Sequence, residues 1–204
     1  GIGVQDNNNI LNTKKGFVPN SDYYNKLYGF KNWKSSTVIS LAIGQGELLV
    51  TPLQLCNLSC IIANKGHYIL PHIAKKIEHH NLDEDRDKKT INVDKDYFDI
   101  IEKGMRSAFT NKKMGSCQHV EITNLQQCGK TGTTQNPHGE DHSMFIGYAP
   151  MEKPQIAISV IVEEGGWGAK WAAPIASLLM EKYVNGYITR KELSEYICKT
   201  KINE

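Results

Sequence analysis

From Gln126 to Val162 the chain reads as three short β-prone runs in succession, and this block restricts the possible folds more than any other. Residues 144–149 (Met-Phe-Ile-Gly-Tyr-Ala) form one run, ended by Pro150. Ile156–Val162 forms another, dense enough in β-branched residues for a central strand. The four residues 151–154 between them can make a hairpin but not a crossover, so the two runs are expected to pair antiparallel. Helical patterns flank the block without interrupting it. Such segregation along the chain predicts an α+β fold rather than a doubly wound parallel sheet.

The run that opens the block carries Cys128-Gly129-Lys130-Thr131-Gly132-Thr133-Thr134-Gln135. Lys-Thr-Gly at a strand edge suits acyl transfer. Gly132 has no side chain, so a substrate backbone or a β-lactam ring can lie against the strand. The amide of Thr133 can aim at the acyl oxygen as one of two oxyanion donors, and losing one such donor costs roughly 3–4 kcal/mol of barrier. Lys130 brings positive charge and a proton path, while the hydroxyls of Thr131, Thr133 and Thr134 can hold a carboxylate. The tripeptide by itself is also an ordinary turn sequence, so its meaning rests on what surrounds it.

Around the strands the reading is mostly helical. Thr51 and Pro52 begin a helix as N-cap and first residue. Its positions through Ala63 are apolar nearly all round, which predicts burial, and Gly66 is expected to close it. A short strand follows over 67–73. Val93 or Asp94 opens an amphipathic helix with the stripe Tyr97, Ile100, Ile101, Met105, Ala108 and Phe109. A further helix is expected over 171–183, burying Ile175, Leu178, Leu179, Lys182 and Tyr183. A last one over 189–199 would start from the capping box Thr189-x-x-Glu192. Residues 1–50 read as irregular, with turn formers at Asp6 to Asn9 and at Lys14-Lys15-Gly16, and with a small-residue stretch over 40–47 where backbones can approach closely. The expected division is 1–125 irregular and helical, 126–164 sheet, and 165–204 C-terminal helices.

Composition removes several classes of function. The charge of +2 comes from 24 basic and 22 acidic residues, which offers no basic face for nucleic acid. Five cysteines, an odd number with no C-x-x-C, argue against a disulfide framework or zinc knuckle, and no cofactor is expected. Cys56 and Cys60 share a helix face as small hydrophobes. His138, Glu140, Asp141 and His142 would suit zinc on a helix, but Pro137 and Gly139 indicate a turn. His142, next to the second run, is a candidate for touching substrate. The charged stretch Asp83 to Lys89 reads as a solvated loop, with His79 and His80 exposed beside it. No apolar run approaches the roughly 18 residues needed to cross a bilayer, and Gly1-Ile2-Gly3-Val4 is no signal peptide. The first residue is not Met, so the chain is expected to be a piece of a longer protein, with any anchor or export signal upstream.

Several further motifs fall in a recognisable order: Lys15-Gly16-Phe17-Val18-Pro19, Asn32-Trp33-Lys34, residues 39–47, Thr51-Pro52-Leu53-Gln54-Leu55, Gly129 to Thr133, residues 145–150, and Ala172-Ala173-Pro174-Ile175-Ala176. With them the chain resembles the transpeptidase domain of class B penicillin-binding proteins, most closely the elongation type. The resemblance implies a serine D,D-transpeptidase that cross-links peptidoglycan stem peptides through an acyl-enzyme and is blocked by β-lactams. Catalytic roles would fall to Lys130 and Thr133, and substrate binding to Thr131, Gly132, Thr133 and Thr134. It also implies an anchor in the cytoplasmic membrane, a domain on its outer face, and a polymerising glycosyltransferase as partner. The family's Ser-x-x-Lys and Ser-x-Asn motifs occur nowhere in this chain. In the family both precede the matching segment, so the chain alone is expected to be inactive. The resemblance further implies that a strand absent here would lie beside Ile156–Val162, leaving an apolar edge that calls for self-association, a partner fragment or a compensating contact. The other reading is a penicillin-binding-like scaffold without catalysis.

Overall fold

The computed structural model describes residues 14–202 apart from 73–75, 78–79 and 82–86, and gives the backbone alone for 76–77 and 80–81. The turn formers at 6–9, His79, the side chain of His80 and the Asp83 to Arg86 stretch lie outside the described residues. In chain order the elements are α1 (Ser21–Tyr28), α2 (Ser35–Ala42), α3 (Pro52–Ala63), β1 (His67–Tyr68), β2 (Lys76–Ile77), β3 (His80–Asn81), β4 (Lys89–Thr90), α4 (Lys95–Thr110), β5 (Cys128–Thr134), β6 (His142–Ala149), β7 (Ile156–Val162), α5 (Ala172–Asn185) and α6 (Lys191–Lys199). The α+β class and the antiparallel hairpin of the second and third runs are as the sequence predicts.

Strands β5, β6 and β7 form one antiparallel sheet in that spatial order. One face carries Cys128 and Tyr148 against Ile62 and Ala63 of α3 and Met105 of α4. The opposite face carries Phe145 and Ala149 against Phe109 and the alanines of α5. Strand β7 lies at the end of the sheet and is half-buried along its whole length. Its dense β-branched sequence answers to helices on both faces, α3 and α5, rather than to strands on both sides.

Helix α3 begins as expected. Thr51 Oγ1 accepts from the Gln54 amide at 3.2 Å, and Gln54 Oε1 accepts from the Thr51 amide at 2.8 Å. Its end differs in detail: the left-handed residue is Lys65 (φ 52), followed by Gly66 (φ 96). Their amides donate to Ile62 and Ile61 carbonyls at 3.1 and 2.8 Å, the Schellman pairing. Burial all round does not hold. Gln54, Asn57, Ser59, Ile61, Ile62 and Ala63 are buried, while Leu53, Leu55, Cys56, Leu58 and Cys60 are half-buried.

Other expectations need correction. Residues 14–50 are not irregular but contain α1 and α2. Asn20 caps α1 by accepting from the Tyr23 amide at 2.9 Å, and ring contacts link Phe17, Tyr23, Tyr24 and Trp33. Aromatic edges, not a periodic apolar stripe, hold this segment. In α4 the buried line is Phe98, Met105, Ala108 and Phe109, whereas Tyr97 and Ile100 stand 60% and 67% exposed. The half-buried Glu102 lies on the same line and accepts from the Tyr148 hydroxyl at 3.0 Å, so a polar residue fills a position that apolar counting skips.

In α5 the expected side holds at Leu178 and in part at the half-buried Ile175. Ala172, Ala173, Ala176, Ser177, Met180 and Glu181 are buried, while Tyr183 is 63% exposed and Leu179 and Lys182 are exposed too. Small residues let the helix lie close to β6 and β7. The capping box of α6 does not form: Arg190 is the N-cap residue without a side-chain cap bond, and the Thr189 amide and hydroxyl both go to Glu181.

Candidate active site

Strand alternation sorts the Lys-Thr-Gly residues. Lys130, Gly132 and Thr134 share a face with Cys128, on the α3 side, and Thr131 and Thr133 share the other with Gly129. All five therefore lie along one strand, but the three hydroxyls divide between its faces. Thr131 Oγ1 is 2.8 Å from Ser116 Oγ. Thr133 Oγ1 accepts from the Gly168 amide at 3.4 Å, and Thr134 Oγ1 donates to Met144 Sδ at 2.6 Å. The exposed Lys130 Nζ donates to the Thr131 carbonyl at 2.8 Å.

On the side away from β6, strand β5 has no neighbouring strand among the described residues. Gln45 Nε2 reaches the Thr133 carbonyl at 3.1 Å. In an antiparallel strand the N–H and C=O of one residue point the same way, and neighbouring residues alternate. The carbonyls of Thr131 and Thr133 turn outward to meet Lys130 and Gln45, so the N–H groups of these two residues line the same open edge.

The glycines of the sheet have different reasons to be glycine. A Cβ on Gly129 would stand under 3.0 Å from the Phe145 ring and the Ile146 carbonyl. One on Gly168 would meet the carbonyls of Gly132 and Met144 just as closely. One on Gly132 would meet only Met144 Cβ, at 3.4 Å, an ordinary contact. Nothing described in the chain requires Gly132 to lack a side chain.

The turn after β7 closes over the sheet face that carries Thr133 and Ser143. Ser143 Oγ donates to the Trp167 carbonyl at 3.0 Å and accepts from the Ala172 amide at 3.1 Å, which ties β6 to the start of α5. The Gly166 amide donates to the Asp141 carbonyl at 2.7 Å, and the Glu164 amide to His142 Nδ1 at 3.0 Å. The Trp167 ring stands 77% exposed beside it. His142 belongs to β6 and His138 to the turn before it, so the two do not share a helix face. Among the described residues no group of three or more His, Cys, Asp or Glu is placed to hold a metal.

Sequence reasoning missed Gln45, Ser116, Ser143 and Gly168. For Gln45 the signal was its place between two glycines, in a stretch read for close backbone approach and as one of the motifs of the resemblance, with no contact assigned to the side chain. Ser116 and Gly168 touch β5 through hydrogen bonds, and Ser143 ties β6 to the start of α5; none of these has a sequence period.

The sequence profile described as "Penicillin binding protein transpeptidase domain" matches residues 1–181. The chain is 28% identical over 211 residues to the peptidoglycan D,D-transpeptidase MrdA of Haemophilus influenzae, covering 94% of this chain and 32% of that protein. Its structure is similar to penicillin-binding protein 2 of Pseudomonas aeruginosa solved with WCK 5153, with a TM-score of 0.71, 30% identity, and coverage of 86% of this chain and 39% of the other. It is also similar to Helicobacter pylori penicillin-binding protein 2 solved in complex with MreC, with a TM-score of 0.68, 28% identity, and coverage of 85% and 32%. The chain thus spans about a third of the length of the curated relatives it matches. With most of its residues inside the matched region, it belongs to the penicillin-binding protein transpeptidase domain family.

Proposed function

We propose that the protein of which this chain is a part is a peptidoglycan D,D-transpeptidase of the elongation type, and that this chain forms one wall of its active site. The observation that carries the reading is the open edge of β5, where outward backbone groups of Thr131 and Thr133 lie beside the Lys130 ammonium and the unobstructed Gly132. A peptide or β-lactam would lie along this edge as an added strand. The Thr133 amide would stabilise the oxyanion and Lys130 would supply charge, with the Thr134 hydroxyl on its face and those of Thr131 and Thr133 on the other available to a carboxylate one face at a time.

The nucleophilic serine comes from outside these 204 residues, since no Ser-x-x-Lys occurs among them. Its oxygen attacks the carbonyl of the penultimate D-alanine, forms an ester, and releases terminal D-alanine as the C–N bond breaks. An amine on a neighbouring strand then takes the acyl group and frees the serine. The complete protein would be anchored in the cytoplasmic membrane and act on its outer face beside a polymerising glycosyltransferase. Among the described residues no helix is long and apolar enough to cross a membrane. Used alone, the chain neither acylates nor turns over, and the outer edge of β7 makes it self-associate.

The direct test of turnover is D-alanine release from a stem peptide ending in D-alanyl-D-alanine. The full-length protein should release it, and the Lys130→Ala variant should lose at least 100-fold in rate, on the order of one lost electrostatic contact to the transition state. Absence of release by the folded full-length protein would overturn the reading.

A further inference from the structure

Gln45 sits at the end of a turn whose backbone is fixed on both sides. The amides of Gly44 and Gln45 donate to the Leu41 and Ser40 carbonyls at 2.9 and 3.0 Å, a Schellman ending for α2. Gly44 (φ 78) and Gly46 (φ 73) occupy the left-handed region that side chains disfavour. Two residues on, Glu47 accepts from the hydroxyl of the buried Tyr24 at 2.9 Å, which seats the turn on α1. Burial of its ring and that bond push the Tyr24 hydroxyl up to about 12, so it stays a donor. From this base the half-buried Gln45 side chain extends to one atom of β5, the Thr133 carbonyl, 88 positions away in sequence.

We propose that Gln45 is a positioning residue for the oxyanion donor. Thr133 follows Gly132, whose backbone has no Cβ to restrict it. It also lies on the strand edge that β6 does not hold. A donor from a rigid turn fixes the direction of the Thr133 carbonyl, and with it the outward direction of the Thr133 N–H. Gly168 braces the strand on its covered face through the Thr133 hydroxyl, and Gln45 braces it along the open edge. The proposal rests on the transpeptidase reading, because it assigns Gln45 a share in orienting a group that works only there. Gln45 touches the strand and not the reacting atoms. Its loss should therefore slow the bond-forming step and leave the preceding non-covalent binding in place.

The test uses the full-length protein with a chromogenic β-lactam, resolving the non-covalent dissociation constant from the acylation rate constant. Gln45→Ala removes the donor. Gln45→Glu keeps the shape but presents only acceptors to the Thr133 carbonyl. Both variants should acylate about tenfold more slowly, less than the loss of a whole oxyanion donor. The dissociation constant should stay within about twofold and the melting temperature should be unchanged. The proposal is overturned by a wild-type acylation rate in either variant, by a faster rate, or by a loss confined to the dissociation constant. A wild-type protein that forms no acyl-enzyme would refute the transpeptidase reading itself, whereas normal wild-type acylation with unaffected variants refutes the role of Gln45 alone.

Discussion

Arg190 Nε donates to Glu181 Oε2 at 3.0 Å, joining the start of α6 to a carboxylate only 1% exposed. The same carboxylate accepts from the Thr189 amide at 2.9 Å and from its hydroxyl. The guanidinium also reaches the Val120 carbonyl and Ser177 Oγ, at 3.1 and 2.9 Å. Burial raises the Glu181 pKa, but the bonds from Thr189 and Arg190 outweigh it and leave the carboxyl below its ordinary value. Glu181→Ala strands Arg190 and should cost about 3–5 kcal/mol in urea denaturation. A depressed carboxyl contributes stability that is complete above its unfolded value of about 4.3 and is lost as pH falls through the folded value. The wild-type chain should therefore lose stability below about pH 4 more steeply than Glu181→Gln. Equal slopes would show that the pair carries no linkage.

The two glycines flanking the edge should behave in opposite ways. Gly168→Ala drives a Cβ into the carbonyls of Gly132 and Met144 and should lower stability by about 1–3 kcal/mol. Gly132→Ala meets only Met144 Cβ and should stay within about 0.5 kcal/mol of wild type while reducing β-lactam acylation of the full-length protein. Equal destabilisation by both would mean that Gly132 is needed by the fold and not by the site.

Cys56 should react ahead of Cys60 and Cys128 near neutrality. As a thiol it donates to the Ala157 carbonyl at 3.5 Å. As a thiolate it accepts from Cys60 and from the Ser159 amide, which, against the effect of burial, lowers it to about 7. Cys60 is raised by the same contact, and burial pushes Cys128 up to about 11. Iodoacetamide labelling followed by mass spectrometry should show Cys56 modified with a midpoint near pH 7, well ahead of Cys60 and Cys128. First modification at either of those two would contradict the arrangement.

The outer edge of β7 should make the isolated chain associate. Val160 and Val162 pair with Phe145 and Ser143, and alternation turns the Ile161 amide outward. Ile161→Pro removes that donor without removing a bond to β6, so light scattering should find oligomers of the 204-residue chain and fewer of them in the variant. A monodisperse monomer of the unaltered chain would show that the edge is not sticky.

How much of this was legible in the sequence depended on what kind of force held each part. Strands β6 and β7 follow from alternation and β-branching, and Ile156–Val162 was bounded to the residue. Thr51 and Pro52 announced the start of α3, and the start of α4 was narrowed to Val93 or Asp94, of which Asp94 is the cap, since capping is local chemistry. The buried sides of α4 and α5 were misjudged where polar residues, Glu102, Ser177 and Glu181, take core positions with partners distant in sequence. Thr189 looked like a cap for α6 and instead serves Glu181. In the proposed site, Lys130 to Thr134 stand in one short motif. Gln45 could not, because its bond to Thr133 depends on how the chain returns to itself.

The most direct measurement is covalent labelling with a fluorescent penicillin, comparing the 204-residue chain with the full-length protein that contains it. The account predicts no adduct on the isolated chain, an adduct on the full-length protein that survives denaturation, and severe loss of that adduct in Lys130→Ala. Labelling of the isolated chain, or a folded full-length protein that takes no label, would contradict the claim that this edge is one wall of a serine acyl-transfer site.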